Sequence, residues 1–318
     1  MDMLEKSTQE MRAAYTQTLI ALAEADRNIV LLEADLMRAT GTQPFKERFP
    51  ERTFNVGVAE ANMVGVAAGL SATGKIPFAH TFACFAARRT FDQFFISANY
   101  ARLNVKLVGT DPGVTATYNG GTHMPFEDVG LMRVIPKLVV FEPCDTVSLN
   151  RLVSQAAHYY GCTYMRLHRR EAHVIYDEGA EIALGKGNVL RDGGDVTLIA
   201  TGAVMVPEAL KAAHLLAAEG IEAAVIDMHT VKPLDAELVV AYAEKTGAIV
   251  TCENHQIING LGSAVAEVLA EHRPTPLRRV GVREAFGEVG TQEYLMERFA
   301  LTSEEIRCQA VAVVSAKG

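Results

Sequence analysis

Short β-branched runs alternate with longer stretches of helical period along this chain, and that alternation restricts it to folds built from parallel βα units. Candidate strands are Asn28 to Leu32, Thr53 to Val56, Val105 to Gly109, Leu138 to Phe141 and Tyr164 to Leu167. Helical patterns fill the gaps at Gln9 to Glu24, Glu60 to Ala72, Thr90 to Ala101 and Thr146 to Tyr160. Parallel neighbours cannot be joined by a tight hairpin, so each needs a crossover of about this length.

From His173 to Asp195 the apolar period fades into Tyr-Asp-Glu-Gly-Ala and then Arg-Asp-Gly-Gly-Asp, a polar, glycine-bearing stretch with the character of a linker. A second series starts at Val196 to Ala200 and continues through Ala223 to Ile226, Ala248 to Thr251 and Leu277 to Val280. The expected fold is therefore α/β in two domains, each a mainly parallel sheet flanked by helices, over residues 1–178 and 195–318 with a linker at 179–194. A chain of 318 residues can bury two such cores. No repeat at a solenoid period competes with this division.

A formal net charge of -8 with no Lys/Arg block argues against nucleic acid or an anionic membrane as the main partner. Local arginines still allow small anionic substrates. The cysteines Cys84, Cys144, Cys162, Cys252 and Cys308 are scattered, with no C-x-x-C pair, so neither zinc nor a redox pair is signalled and a reducing, cytoplasmic setting is expected. The first residues lack a basic region followed by an apolar run, and no segment reaches the length of a membrane span.

Chemistry-bearing residues concentrate between Val56 and Pro125, in Gly57-Val58-Ala59-Glu60-Ala61-Asn62-Met63, Phe82-Ala83-Cys84-Phe85-Ala86-Ala87-Arg88 and Gly120-Gly121-Thr122-His123-Met124-Pro125. Glu60 opens a helix whose next residues are mostly apolar, so a carboxyl group is carried into poorly hydrated surroundings, where burial favours the neutral acid. The competing reading is a solvated first-turn residue favoured by the helix dipole. Phe82, Phe85 and Arg88 are spaced by three, one face of a helical turn, where two rings can wall a flat ligand. Residues 111–127 carry turn chemistry and no long apolar run; a loop of that length is often functional, and His123 near its end is either a functional group or a loop histidine that ties the turn together.

The order of these motifs resembles the pyrimidine-binding region of the transketolase family. The resemblance implies that Glu60 hydrogen-bonds the pyrimidine of thiamine diphosphate, that Phe82 and Phe85 stack on it, and that His123 contacts the donor ketose near its carbonyl. Arg88 stands where transketolases have tyrosine, but deoxyxylulose phosphate synthases have arginine there, followed as here by Asp92-Gln93. Asp35 matches a family aspartate near the cofactor, although an acidic residue after a strand is also a helix-start signal. Arg12 and Arg169 fall where transketolases place phosphate-binding arginines, whose paired donors suit that group, with Arg166 and Arg170 competing for the second assignment and surface ion pairs as the alternative for each.

Departures from the family point to a different sugar: Ala39 or Thr40 replaces a serine, Thr110 or Asp111 a sugar-contacting histidine, and Asn119 an aspartate that reads donor stereochemistry. No Gly-Asp-Gly occurs, so this chain supplies no metal ligand; Gly193-Gly194-Asp195 sits in the linker. The resemblance continues through Glu253-Asn254-His255, Gly260 to Glu267 and Phe286-Gly287, with the glycines around Leu261 also readable as a phosphate-binding helix start. It implies the C-terminal subunit of a split transketolase, transferring a two-carbon ketol unit between sugar phosphates. A separate N-terminal subunit with Gly-Asp-Gly would hold Mg²⁺ and the diphosphate, in a heterotetramer of two chains each. Alternatives are a 2-oxoacid dehydrogenase beta subunit, a deoxyxylulose phosphate synthase-like enzyme, and a non-catalytic regulatory subunit.

Overall fold

Ile29–Glu33 is five consecutive buried residues, a pattern that suits a strand only where both faces of its sheet are covered. The computed structural model describes residues 4–317; residues 1–3 and 318, at the outer ends of the two expected domains, lie outside the described residues. In chain order the strands are β1 (Lys6–Glu10), β2 (Ile29–Glu33), β3 (Thr53–Asn55), β4 (Ile76–Phe82), β5 (Lys106–Thr110), β6 (Val139–Phe141), β7 (Thr163–Leu167) and β8 (Glu171–His173). They continue as β9 (Asn188–Arg191), β10 (Val196–Ala200), β11 (Ala223–Asp227), β12 (Thr230–Lys232), β13 (Ile249–Gln256) and β14 (Leu277–Val282). One sheet has the order β12-β6-β7-β5-β4-β2-β3 and the other β14-β13-β10-β11-β9, with β1 and β8 forming a separate antiparallel ribbon. Within the two large sheets all pairs are parallel except the edge pairs β12–β6 and β11–β9. The chain is α/β, as its alternation of elements predicts.

Several features depart from the sequence reading. The central strand β4 escaped it, because Pro77, His80 and Thr81 interrupt the apolar run of Ile-Pro-Phe-Ala-His-Thr-Phe although six of its seven residues are buried. β9 lies inside the stretch read as linker and closes the second sheet against β11. β12, contributed from beyond the linker, pairs with β6 and becomes an edge of the first sheet. The expected helix at Thr90 to Ala101 is a short α-turn, Phe91–Gln93, followed by a π-helix, Phe94–Tyr100. There the Asn99 side-chain amide donates to the Phe94 carbonyl at 2.7 Å, supporting the wider turn.

The first sheet is filled on both faces. Ile29, Leu31, Phe78, Val108 and Met165 belong to the core shared with the helices Met11–Ala25 and Thr146–His158, while Val30, Leu32, Ala79, Leu107 and Tyr164 belong to the core shared with Glu60–Ala72 and the π-helix. Helix Thr146–His158 starts on a capping box between Asp145 and Ser148. Register then aligns the strand ends: Glu33 lies beside His80, Phe82 beside Thr110, and Thr110 beside Leu167. Asp35, Phe82, Asp111 and Arg169 thus leave the sheet at one edge, the carboxyl end of parallel strands, where open α/β sheets bind ligands.

Candidate active site

Glu60 is the first residue of the helix Glu60–Ala72 and is 4% exposed. Its Oε1 accepts a 2.8 Å hydrogen bond from Nη1 of Arg89, a residue the sequence motifs did not single out. The Arg89 guanidinium carbon also lies 3.8 Å from the Phe85 ring centroid, a close cation–π contact. One planar cation therefore ties the buried carboxylate to the aromatic wall. The signal was present as the doublet Arg88-Arg89 with Arg89 four residues after Phe85, but nothing local decides which arginine pairs with Glu60. Arg88, expected at the cofactor, donates from Nε to Glu127 at 2.5 Å and from Nη1 to the Thr122 carbonyl at 3.1 Å, so it ties this corner to the loop that carries His123.

Phe82 is not on a helical face with Phe85, because its backbone is extended (φ -67, ψ 148) and the helix Ala83–Arg88 starts one residue later. The strand-to-helix corner nevertheless brings the rings to 6.0 Å between centroids, tilted by 33°. His123 presents its ring edge-on to both, 5.1 Å from Phe85 and 6.1 Å from Phe82, and its Nδ1 lies 2.9 Å from Thr122 Oγ1. The loop and the strand end thus converge on one aromatic cluster.

Arg169 extends that cluster. Its guanidinium carbon is 5.8 Å from the Phe82 centroid, its Nε donates to Asp111 at 3.0 Å, and its Nη1 reaches the Ala39 carbonyl at 3.5 Å. Burial pushes the Asp111 carboxyl upward, with Arg169 opposing. Arg12 donates to the same Ala39 carbonyl at 3.0 Å while gripping Glu10 with Nε and Nη2 at 2.7 and 3.0 Å. The two arginines are brought side by side by the backbone bond from Arg12 N to the Arg169 carbonyl, 3.2 Å. Asp35 stands apart from the cluster: exposed, at φ 63, it exchanges hydrogen bonds with Asn55 at 3.0 and 3.1 Å.

Burial removes Arg166 from the candidate substrate arginines. It is 1% exposed and bonds Asp128 through Nε and Nη2 at 2.8 and 3.2 Å, Glu142 through Nη1 at 2.7 Å, and the Asn254 carbonyl through Nη2 at 2.9 Å. Beneath the arginine pair, Glu33 accepts the Thr40 and Thr42 hydroxyls on Oε1 at 2.7 and 2.5 Å and so braces the turn that delivers Ala39. Burial pushes Glu33 up to about 7, against those two bonds, and its Oε2 has no partner. The glycines around Leu261 do not form an anion site: Glu253 already fills that helix start, accepting from the amides of Leu261 and Gly262 at 2.7 and 2.9 Å. Among the described residues no group of three His, Cys, Asp or Glu is placed to hold a metal, and no helix is long and apolar enough to cross a membrane.

Residues 7–174 match the transketolase pyrimidine-binding domain and residues 185–306 the transketolase C-terminal domain. A 6-deoxy-6-sulfo-D-fructose transketolase subunit, SqwH, from Clostridium sp. (strain MSTE9) is 55% identical over 93% of this chain and 92% of its own length. An apulose-4-phosphate transketolase subunit from Phocaeicola vulgatus is 34% identical over 93% and 94%. A solved split-gene transketolase, an inactive β4 tetramer, superposes with a TM-score of 0.90 at 44% identity, covering 98% of this chain and 100% of that one. Fold and family matches define the class, one that depends on thiamine diphosphate: the chain belongs to the transketolase family. Within it, this is a C-terminal subunit of the split type. The residues present fit the pyrimidine end of that cofactor, since a buried carboxylate is joined through Arg89 to one of two neighbouring aromatic rings.

Proposed function

We propose that this chain supplies the pyrimidine-binding half of a transketolase site that moves a two-carbon ketol unit from a ketose with an anionic terminus to an aldose acceptor. The supporting observation is the unbroken run of contacts from Glu60 through Arg89, Phe85, His123 and Phe82 to Arg169. Glu60 would hold a proton against a pyrimidine nitrogen, Phe82 and Phe85 would wall the ring, and His123 would hydrogen-bond oxygen as negative charge develops there. Thiamine diphosphate, when bound, supplies the carbanion chemistry. A partner subunit with Gly-Asp-Gly would hold Mg²⁺ and the diphosphate, in a cytoplasmic heterotetramer.

Arg12 and Arg169 would take the anionic end of the sugar, since guanidinium groups pair with tetrahedral oxyanions through fixed donors. One relative is named for a sulfonated ketose and another for a phosphorylated sugar, so sulfonate and phosphate are both candidates for that end. The test is to capture the partner subunit on this chain, reconstitute the enzyme, and assay ketol transfer from 6-deoxy-6-sulfo-D-fructose and from a ketose phosphate. Transfer from one of them should fall by about a hundredfold or more in Glu60→Gln. Full activity of that variant overturns the role of Glu60.

A further inference from the structure

The segment that carries His123 makes much of its packing with the C-terminal domain. At its start, the buried Asn254 on β13 accepts from the Val114 amide at 3.0 Å and donates to the Pro112 carbonyl at 2.9 Å, so one side chain satisfies both sides of Gly113. Gly113 has φ +55, and a Cβ there would lie 2.1 Å from Asn254 Oδ1, so the two residues are fitted to each other. Asn254 is held in turn by Arg166, which donates to its carbonyl.

The far end is gripped by the stretch after β14. A Cβ on Gly121 would stand 2.1 Å from the Gly287 carbonyl oxygen, and one on Gly287 would stand 2.6 Å from Met124 Sδ, so here the two chain segments touch backbone to backbone. The Val289 side chain closes on Gly120, and the Gln256 amide donates to the Phe126 carbonyl at 2.9 Å. His123 lies within this second grip, between Gly121 and Met124. The second domain therefore contacts the loop at both ends, on either side of the histidine.

We propose that Asn254 and Gly287 are positioning residues: the C-terminal domain clasps the loop from Pro112 to Phe126 at both ends and thereby sets His123 against Phe82 and Phe85. This rests on the reading of His123 as a group that touches substrate. A reacting group displaced by about 1 Å can lose two orders of magnitude in rate, so the clasp has a kinetic signature beyond stability.

The experiment compares Asn254→Ala, Gly287→Ala and His123→Ala, singly and as Asn254→Ala with His123→Ala, in the reconstituted two-chain enzyme. Amide exchange over 113–124 is read alongside kcat and KM. Gly287→Ala serves as the second variant because it lies on a partly exposed stretch and adds a single methyl against Met124. The expected result is faster loop exchange in both clasp variants and a kcat lowered by about tenfold to a hundredfold. In the His123→Ala background, Asn254→Ala should cost less than about twofold, because coupled residues are not additive. Unchanged loop protection in both variants, or fully additive losses, overturns the proposal. If His123→Ala alone is as active as the parent, the role given to His123 fails instead, and the exchange result alone upholds or overturns the clasp.

Discussion

Arg166→Met should unfold this chain far more readily than its conservative volume suggests. The guanidinium makes four hydrogen bonds, to Asp128 twice, to Glu142 and to the Asn254 carbonyl, and the two carboxylates are 0% and 3% exposed. Methionine fills the space but leaves two buried carboxyl groups facing each other without a cation. Breaking a buried pair from one side costs about 3–5 kcal/mol. Against a total stability of about 5–15 kcal/mol this is a large share, and it corresponds to a fall in Tm on the order of 10 °C. The assay is thermal unfolding by circular dichroism of the parent, Arg166→Met, and Arg166→Met combined with Asp128→Asn and Glu142→Gln. The triple variant should recover much of the loss, since the cost lies in uncompensated charge rather than in the missing contacts. A single variant melting within about 2 °C of the parent, or a triple variant no better than the single one, would refute the reasoning.

Two further outcomes are expected. Arg12→Ala should raise KM for the sulfonated or phosphorylated donor by about tenfold to a hundredfold, the worth of a charge-assisted hydrogen bond, while a neutral ketose is unaffected; equal losses on both donors would remove the anion role. Asp227, buried on β11 with Tyr176 and Cys144 donating to Oδ2 and no partner on Oδ1, is pushed up to about 7 by burial. Because its folded pKa is raised, the folded chain holds a proton between about pH 4 and 7 that the unfolded chain has released, so this stability is fully present below about pH 4, falls across that window and is gone above about 7. Asp227→Asn should therefore gain on the parent by about 3 kcal/mol between pH 5 and 8 in denaturant unfolding, and parallel pH profiles would sink the assignment.

Several features were legible in the amino-acid sequence alone. Alternation of period fixes the βα class because parallel strands must be buried and crossed over, and the motif order around Glu60, Phe82, Phe85 and His123 pointed to the family that the chain matches. Burial of Glu60 also follows from local pattern, since the residues after it are apolar. Pro77 and His80 hid β4 because a central strand is set by its neighbours in the sheet, not by its own alternation.

What only the tertiary structure decided is which of two equivalent local choices was taken. Arg88 and Arg89 have the same propensities, and the direction each turns depends on Glu127 and Glu60, which come from distant elements. Arg12 and Arg169 meet at the Ala39 carbonyl only because the chain pairs the residues after β1 with those before β8. Glu253 occupies the helix start that glycine spacing offered to phosphate, and Asn254 reaches across a domain boundary to hold a loop. Local sequence sets backbone preference over a turn or two, but partners far along the chain are chosen by packing, and it is those partners that assign each side chain its role.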